Sequence, residues 1–414
     1  MAHNGTTTPR IEFIPLRPAV SRDRERTLEV LVRITPPALE TQLERPALNL
    51  GLVLDRSGSM EGDKIEYARR AARFALEQLL PTDRVSVTIF DDVVETIVPS
   101  TLATDRMQLL RALERVHARN STALHAGWLE GATQVAQHLA PNQLNRVILL
   151  SDGIANVGET NPDRIANDVH GLARRGVSTT AMGVGRDFNE DLLEAMARAG
   201  DGNYHFIEHP NQLPAIFATE LRGLTNLYGQ TVSLGLECFA GTRVIDVMND
   251  LETTSTGRYK LPNLSAGSPL EVLVRVRVPA GRSLTEFLRV RLAWDDANGV
   301  RHTQYAGLTL PDLPDVELER LAEHPEVRQA VALLESARAR MEAVRRMDRG
   351  DVAGAKESLK VAVSVVAAAP ASAEQARELR QLEELSIDVE RDTTLARKKA
   401  TYQKYERQSG HTNR

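Results

Sequence analysis

The sequence predicts a doubly wound α/β domain set into an all-β region and followed by helices. Three observations predict it. From Leu48 to about Leu227, apolar strand-like runs alternate with stretches of helical periodicity. On either side of that stretch the apolar residues recur with a period of two, and beyond Pro314 only helical spacing remains.

Taken in order, Ile11–Leu16 and Thr27–Ile34 alternate like half-buried strands, and Pro36, Pro37 and Pro46 mark a linker. The continuous apolar run Leu50–Leu54 is what a strand covered on both faces requires. A helix over Asp63–Leu80 follows, with Ile65, Ala68, Ala72, Ala75, Leu76 and Leu79 on one face. Val85–Phe90 is the next strand and Val93–Val98 an edge strand. Helices over Arg106–Val116 and Thr122–Leu139 then lead to the strand Val147–Leu150. A helix at Pro162–Arg174, a strand at Ser178–Val184, a helix at Glu190–Ala199 and a strand at Tyr204–Ile207 complete the mostly parallel sheet. Strands at Val232–Leu236, Thr242–Val247, Leu270–Val278 and Leu288–Ala293 suit a β-sandwich, which the N-terminal strands are expected to join. Helices end at Gly350 and before Pro370, a third starts near Ala371, and the basic tail from Arg391 to Arg414 reads as frayed. The expected division is therefore residues 1–45 joining the sandwich, 46–228 the α/β domain, 229–312 the β-sandwich and 313–414 a helical bundle.

At 414 residues the chain exceeds one ordinary core, and its 42% hydrophobic and 26% charged residues are those of a globular protein. A net charge of -5 gives no broad basic field for nucleic acid. Cys238 is the lone cysteine, which excludes an intrachain disulfide and a thiolate zinc site. The start MAHNGTTTPRIEF has no apolar signal segment and no run of apolar residues is long enough for a membrane span, so cytoplasmic residence is the expectation.

Ligand sites of open α/β sheets lie at the carboxyl ends of the strands. Three loops place oxygen ligands there: Asp55-Arg56-Ser57-Gly58-Ser59, Arg119-Asn120-Ser121-Thr122 and Ser151-Asp152-Gly153. Such hard oxygens select Mg²⁺, Mn²⁺ or Ca²⁺. The five side chains Asp55, Ser57, Ser59, Thr122 and Asp152 bring only two negative charges, so an acidic oxygen from outside can complete the shell of a bound ion.

The stretch LVLDRSGSM resembles the metal-ion-dependent adhesion site of von Willebrand factor A domains. NSTALHAGW and VILLSDG resemble that site's second and third loops, and TTAMGVGRDFNEDLLEAMARAGDGNYHFIE resembles the end of the same fold. The likeness covers about 180 residues, the size of one domain. It implies one divalent cation, Mg²⁺ first, with Ser57, Ser59 and Thr122 touching it directly and Asp55 and Asp152 acting largely through water. Asn120 departs from the glycine of many members. The flanking regions resemble those of bacterial intracellular members, which implies an AAA+ ATPase or a multiprotein complex as partner.

Blander readings weigh against other motifs. The loop Asp55–Ser59 taken alone would suit a helix cap. His117, His125, His205 and His209 read as helix-surface or loop histidines rather than metal ligands. Gly183-x-Gly185 follows a strand, but Phe188 stands where a nucleotide loop needs a third glycine. Arg69, Arg70 and Arg73 suit a solvated helix face, as do Arg397, Lys398, Lys399 and Lys404 in the tail. The expectation is a non-enzymatic scaffold or adaptor that docks an Asp or Glu of a partner protein through the cation. A metal-assisted hydrolase or phosphatase is the rival, but the sequence offers it no general base beyond the ligand carboxylates and no phosphate-cradling loop. An extracellular adhesin fits the motif and not the missing signal segment.

Overall fold

The computed structural model describes residues 8–38, 46–119, 121–140, 143–281, 286–296 and 299–410; Asn120 lies outside them. The chain divides into two compact units. One comprises Met1–Thr41, Tyr228–Asp296 and Val300–Arg414, and the other essentially Gln42–Leu227.

The first unit opens with β1 (Arg10–Pro15), β2 (Val20–Ser21) and β3 (Arg26–Thr35). The second unit supplies β4 (Ala47–Asp55), β5 (Arg84–Phe90), β6 (Val94–Leu102), β7 (Gln143–Ser151), β8 (Val177–Val184) and β9 (Tyr204–Ile207). Its helices are α1 (Asp63–Gln78), α2 (Arg106–Leu113), α3 (Leu124–Ala136), α4 (Pro162–Ala173), α5 (Glu190–Ala199) and α6 (Leu213–Thr225). The chain then returns to the first unit with β10 (Leu227–Cys238), β11 (Arg243–Val247), β12 (Tyr259–Lys260), β13 (Leu264–Ser265), β14 (Leu270–Val278), β15 (Leu288–Asp295), β16 (Arg301–Leu308) and β17 (Asp312–Leu313). It ends in α7 (Asp315–Leu318), α8 (Pro325–Asp348), α9 (Val352–Ala367), α10 (Ala373–Arg391) and α11 (Thr393–Gln408).

In the second unit the sheet order is β6-β5-β4-β7-β8-β9, parallel throughout except for antiparallel β6. The alternation of β4 puts Leu48, Leu50, Leu52 and Leu54 into one core with Met60, Ile65 and Ala72 on the α1 side and Phe217 of α6. Its opposite face meets α3 at unusually short range. A Cβ on Gly131 would lie 2.2 Å from Val53 Cγ2, and one on Gly127 would lie 2.5 Å from the Phe90 ring. These glycines let α3 settle onto the strands, which fixes where its amino end, and so Thr122, arrives.

Away from the strand ends that carry the candidate site, Glu220 of α6 is buried. It accepts hydrogen bonds from Thr180 Oγ1 (2.5 Å) and Asn203 Nδ2 (2.8 Å), lies 3.3 Å from His205 Nε2 and pairs with Arg146 at 3.5 Å.

In the first unit, antiparallel β3 pairs with β14 so that Val30 faces Val274 and Val32 faces Val272. One sheet runs β1-β3-β14-β11 and the other β12-β10-β15-β16. Val30, Val32, Val272 and Val274 enter the core that also holds Leu234, Val290 and Leu292. Leu31 and Leu273, pointing the other way, pack with Val327 and Leu334 of α8. The second layer explains why Val30-Leu31-Val32 is apolar without interruption. β16 was missed in the sequence because Arg301, Thr303, Tyr305 and Gly307 are exposed and the residues between them are mostly polar.

The frayed tail expected from Arg391 is corrected by α11. Leu395, Ala396, Ala400 and Thr401 are buried, as are Lys398 and Lys404. The charges that suggested solvation are paired: Arg397 with Asp348 (2.7 Å), Lys399 with Asp388 (2.9 Å) and Arg407 with Glu374 (2.6 Å). Glu271 N donates to Gly410 O at 2.9 Å, so the chain remains tied to the sandwich beyond the helix. Small residues every turn, hidden among lysines, carry a packing face that hydrophobic periodicity underweights. Within the bundle Arg340 and Glu378 form an ion pair with both side chains 0% exposed.

Candidate metal centre

Asp55 is the last residue of β4 and Ser151 the last of β7. The two strands are parallel, with Leu54 beside Leu150, so both residues leave the sheet side by side. The chain turns out at once. Arg56 N still bonds Phe90 O (2.8 Å), whereas Ser57 N turns back to Asp55 Oδ1 (2.7 Å). A short 3₁₀ turn at Gly58–Met60 then presents Ser59. Ser57 Oγ and Ser59 Oγ lie 3.1 Å apart, and Ser59 Oγ donates to Asp152 Oδ1 at 2.7 Å.

Thr122 reaches the same place from the amino side of α3. Its N–H donates to Asn156 Oδ1 (2.9 Å), its carbonyl accepts from Asn156 N (3.2 Å) and Val157 N (3.3 Å), and Ala123 N bonds Asp91 O (2.7 Å). A Cβ on Gly153 would lie 2.8 Å from Thr122 Oγ1 and 3.4 Å from Asp55 Oδ2, so hydroxyl and carboxylate converge beside that glycine. Among the described residues, nothing forms a hydrogen bond with the Thr122 hydroxyl. The structure thus brings all five candidate side chains to one edge of the sheet.

The donor set suits a hard divalent ion. Asp55 and Asp152 are both 0% exposed, and two buried carboxylates at one spot call for a cation. Burial pushes the Asp55 carboxyl up to about 6, with Asp152 adding to the rise and hydrogen bonds from Ser151 and Ser57 opposing it. Among the described residues no group of three or more His, Cys, Asp or Glu side chains is placed to hold a metal, so an ion here would rely on hydroxyl oxygens. Asp55, Ser57, Ser59, Thr122 and Asp152 would hold it.

Three supporting roles escaped the sequence reading. Lys64, in the first turn of α1, donates to Asp152 Oδ2, and Gly62 at φ 82° makes the turn that brings it back. Ser151 donates to Asp55 Oδ2. Asp91 pairs with Arg56 of the first loop (3.2 Å) and with Arg119 of the second (2.5 Å), while Arg119 N bonds Arg56 O (2.7 Å). A lysine five positions after Ser59, and an aspartate directly after the neighbouring strand, were the available signals. Two weaker motifs are explained by packing. Gly183 makes room for the Phe188 ring, which a Cβ would approach to 2.3 Å, and His125 bonds Asp168 (3.0 Å) while stacking on Trp128.

Residues 49–219 match the family described as the von Willebrand factor type A domain. That stretch of the chain is a von Willebrand factor type A (VWA) domain. VWA domains generally mediate protein–protein interactions. The chain is 29% identical over 183 residues to the uncharacterized protein sll0103 of Synechocystis sp., covering 44% of this chain and 43% of that one. It spans less than half the length of the curated relatives it matches first. Among solved structures, a von Willebrand factor type A protein from Catenulispora acidiphila superposes with a TM-score of 0.70 at 20% identity, over 93% of this chain and 91% of that one. The ArnB paralog VWA2 from Sulfolobus acidocaldarius gives a TM-score of 0.63 at 18% identity, over 98% and 100%. At these identities the likeness is one of fold. Among the described residues no helix is long and apolar enough to cross a membrane.

Proposed function

We propose that the chain is a non-catalytic scaffold or adaptor whose VWA domain holds one divalent cation, Mg²⁺ by preference, and through it grips an acidic residue of a partner protein. The observation that carries this reading is the convergence of Asp55, Ser57, Ser59, Thr122 and Asp152, with both carboxylates buried and the Thr122 hydroxyl left without a hydrogen bond among the described residues. When bound, the ion supplies a positive point that a carboxylate from outside can ligate.

The protein's own groups do the rest. Ser151 and the Ser57 N–H fix Asp55, Ser59 orients Asp152, and Asp91 ties the first loop to the second. The sandwich and helices of the other unit offer surface for a further member of an assembly, an AAA+ ATPase or another component of a multiprotein complex. Affinity capture from a lysate, with and without chelator and read by mass spectrometry, tests the reading. Partners lost both in chelator and in Thr122→Ala support it. A partner retained under both conditions places docking elsewhere.

A further inference from the structure

Lys64 places its ammonium against Asp152, one of the two buried carboxylates. Its ammonium donates to Asp152 Oδ2 while Ser59 holds Oδ1, so both oxygens of that carboxylate are occupied. The stem runs over Gly185, where a Cβ would lie 3.2 Å from Lys64 Cε. Gly185 has φ 75°, a left-handed conformation that favours glycine, so the strand end leaves a channel for this side chain. The other acid near the ammonium is Asp187, at 3.9 Å and 72% exposed, too solvated to compete with Asp152. The lysine itself is only 23% exposed. It is held in place by helix, glycine and carboxylate together.

Given the metal site proposed above, we propose that Lys64 is the built-in counter-cation of that site: it weakens divalent-ion binding and leaves the loaded site with a net positive charge for the partner's carboxylate. Two carboxylates and one ammonium sum to one negative charge, and a divalent ion brings the total to one positive. Without Lys64 the loaded site is neutral and attracts an acidic group less. In the metal-free protein the same ammonium keeps Asp152 from standing buried and uncompensated. Lys64 is in this sense a positioning and charge-setting residue, not a ligand.

The full chain carrying Lys64→Met, which keeps the stem and removes the charge, is titrated with Mg²⁺ by calorimetry beside the wild type and Lys64→Arg. A unit charge this close to a divalent ion is worth a factor of about ten even with the screening of water, so Lys64→Met binds Mg²⁺ about tenfold more tightly. Lys64→Arg stays close to wild type. Acetate, titrated into the Mg²⁺-loaded proteins as a probe carboxylate, binds Lys64→Met more weakly. Circular dichroism verifies the fold, and Lys64→Gln repeats the comparison with a polar stem. If the wild type binds Mg²⁺ and neither neutral variant binds it more tightly, Lys64 only anchors the start of α1 and the inference is overturned. If the wild type binds no divalent ion, the metal site itself fails and the inference with it.

Discussion

Ser151 donates its hydroxyl hydrogen bond to Asp55 Oδ2, from the last residue of β7 to the last residue of β4, with both side chains at 0% exposure. The bond supports the charged form of a carboxylate that burial otherwise pushes up to about 6. Ser151→Ala leaves Asp55 with Ser57 as its remaining support and makes the proton a stronger competitor for any cation. Divalent-ion affinity near neutral pH is expected to fall about fivefold, and stability by about 1 kcal/mol. Calorimetric titration and urea unfolding of the same preparation measure both. Unchanged affinity in a folded variant would remove Ser151 from the site.

How much of this was legible in the sequence divides by the kind of signal. β4 and β14 carry strict period-two or continuous apolar runs, and both strands were legible from the pattern. The five candidate oxygens were legible because each sits within four residues of a strand or helix end, where chain direction alone fixes the edge of the sheet. Lys64 was not, because its role depends on the positive φ of Gly62, which folds the helix start back toward Asp152. Nor was α11, whose buried Lys398 and Lys404 look like solvated charge until the acidic faces of neighbouring helices are known. Long-range ion pairs leave no local signature.

The buried pair of Arg340 and Glu378 gives a prediction of the second sort. Glu378 also accepts from Ser336 Oγ (2.6 Å) and from Arg407 Nη2 (2.8 Å), so it is the hub of the bundle's polar core. Glu378→Ala leaves Arg340 buried without its carboxylate, and a loss of about 3–5 kcal/mol is expected. Replacing both partners by apolar residues, Arg340→Met with Glu378→Leu, costs much less than the single change. Urea unfolding of the three proteins decides. A double variant as unstable as Glu378→Ala would show that the network, not the uncompensated charge, sets the cost.

Acid sensitivity is expected to centre on Glu220. Burial alone would raise this carboxyl, but the hydrogen bond from His205, the charge of Arg146 and the Thr180 hydroxyl outweigh it and hold the value at about 2, against an ordinary 4.5. A depressed carboxyl contributes stability that is fully present above its unfolded value and is lost as pH falls through the folded one. The window therefore runs from about 4.5 down to about 2, and the contribution at stake is about 3 kcal/mol. Glu220→Gln should be less stable than wild type near pH 6 and should lose less on going to about pH 3. Unfolding curves at the two pH values check this; equal acid losses in both proteins would assign the sensitivity to other carboxyls.

Gly153 tests whether Thr122 belongs to the site. A Cβ at this position would lie 2.8 Å from Thr122 Oγ1 and 3.2 Å from its Cγ2, closer than such atoms pack. The obstacle is the end of a side chain, so Gly153→Ala is accommodated by turning Thr122 or displacing its loop rather than by unfolding the sheet. Asp55, Ser57, Ser59 and Asp152 keep their mutual bonds, because none of those runs through Gly153 Cα. The stability loss is expected to stay near 1 kcal/mol, a mild overpacking cost. Divalent-ion affinity is expected to fall about tenfold as the Thr122 hydroxyl leaves its place beside Gly153, in keeping with the cost of disturbing a group that supports a metal site. Thr122→Ala should lose a similar amount, and the double variant Gly153→Ala with Thr122→Ala no more than either alone, because the added methyl then meets no hydroxyl. Calorimetric titration of the three proteins with Mg²⁺ reads the cycle. Additive losses would mean that Gly153 supports the site through its own backbone and that Thr122 acts independently of it.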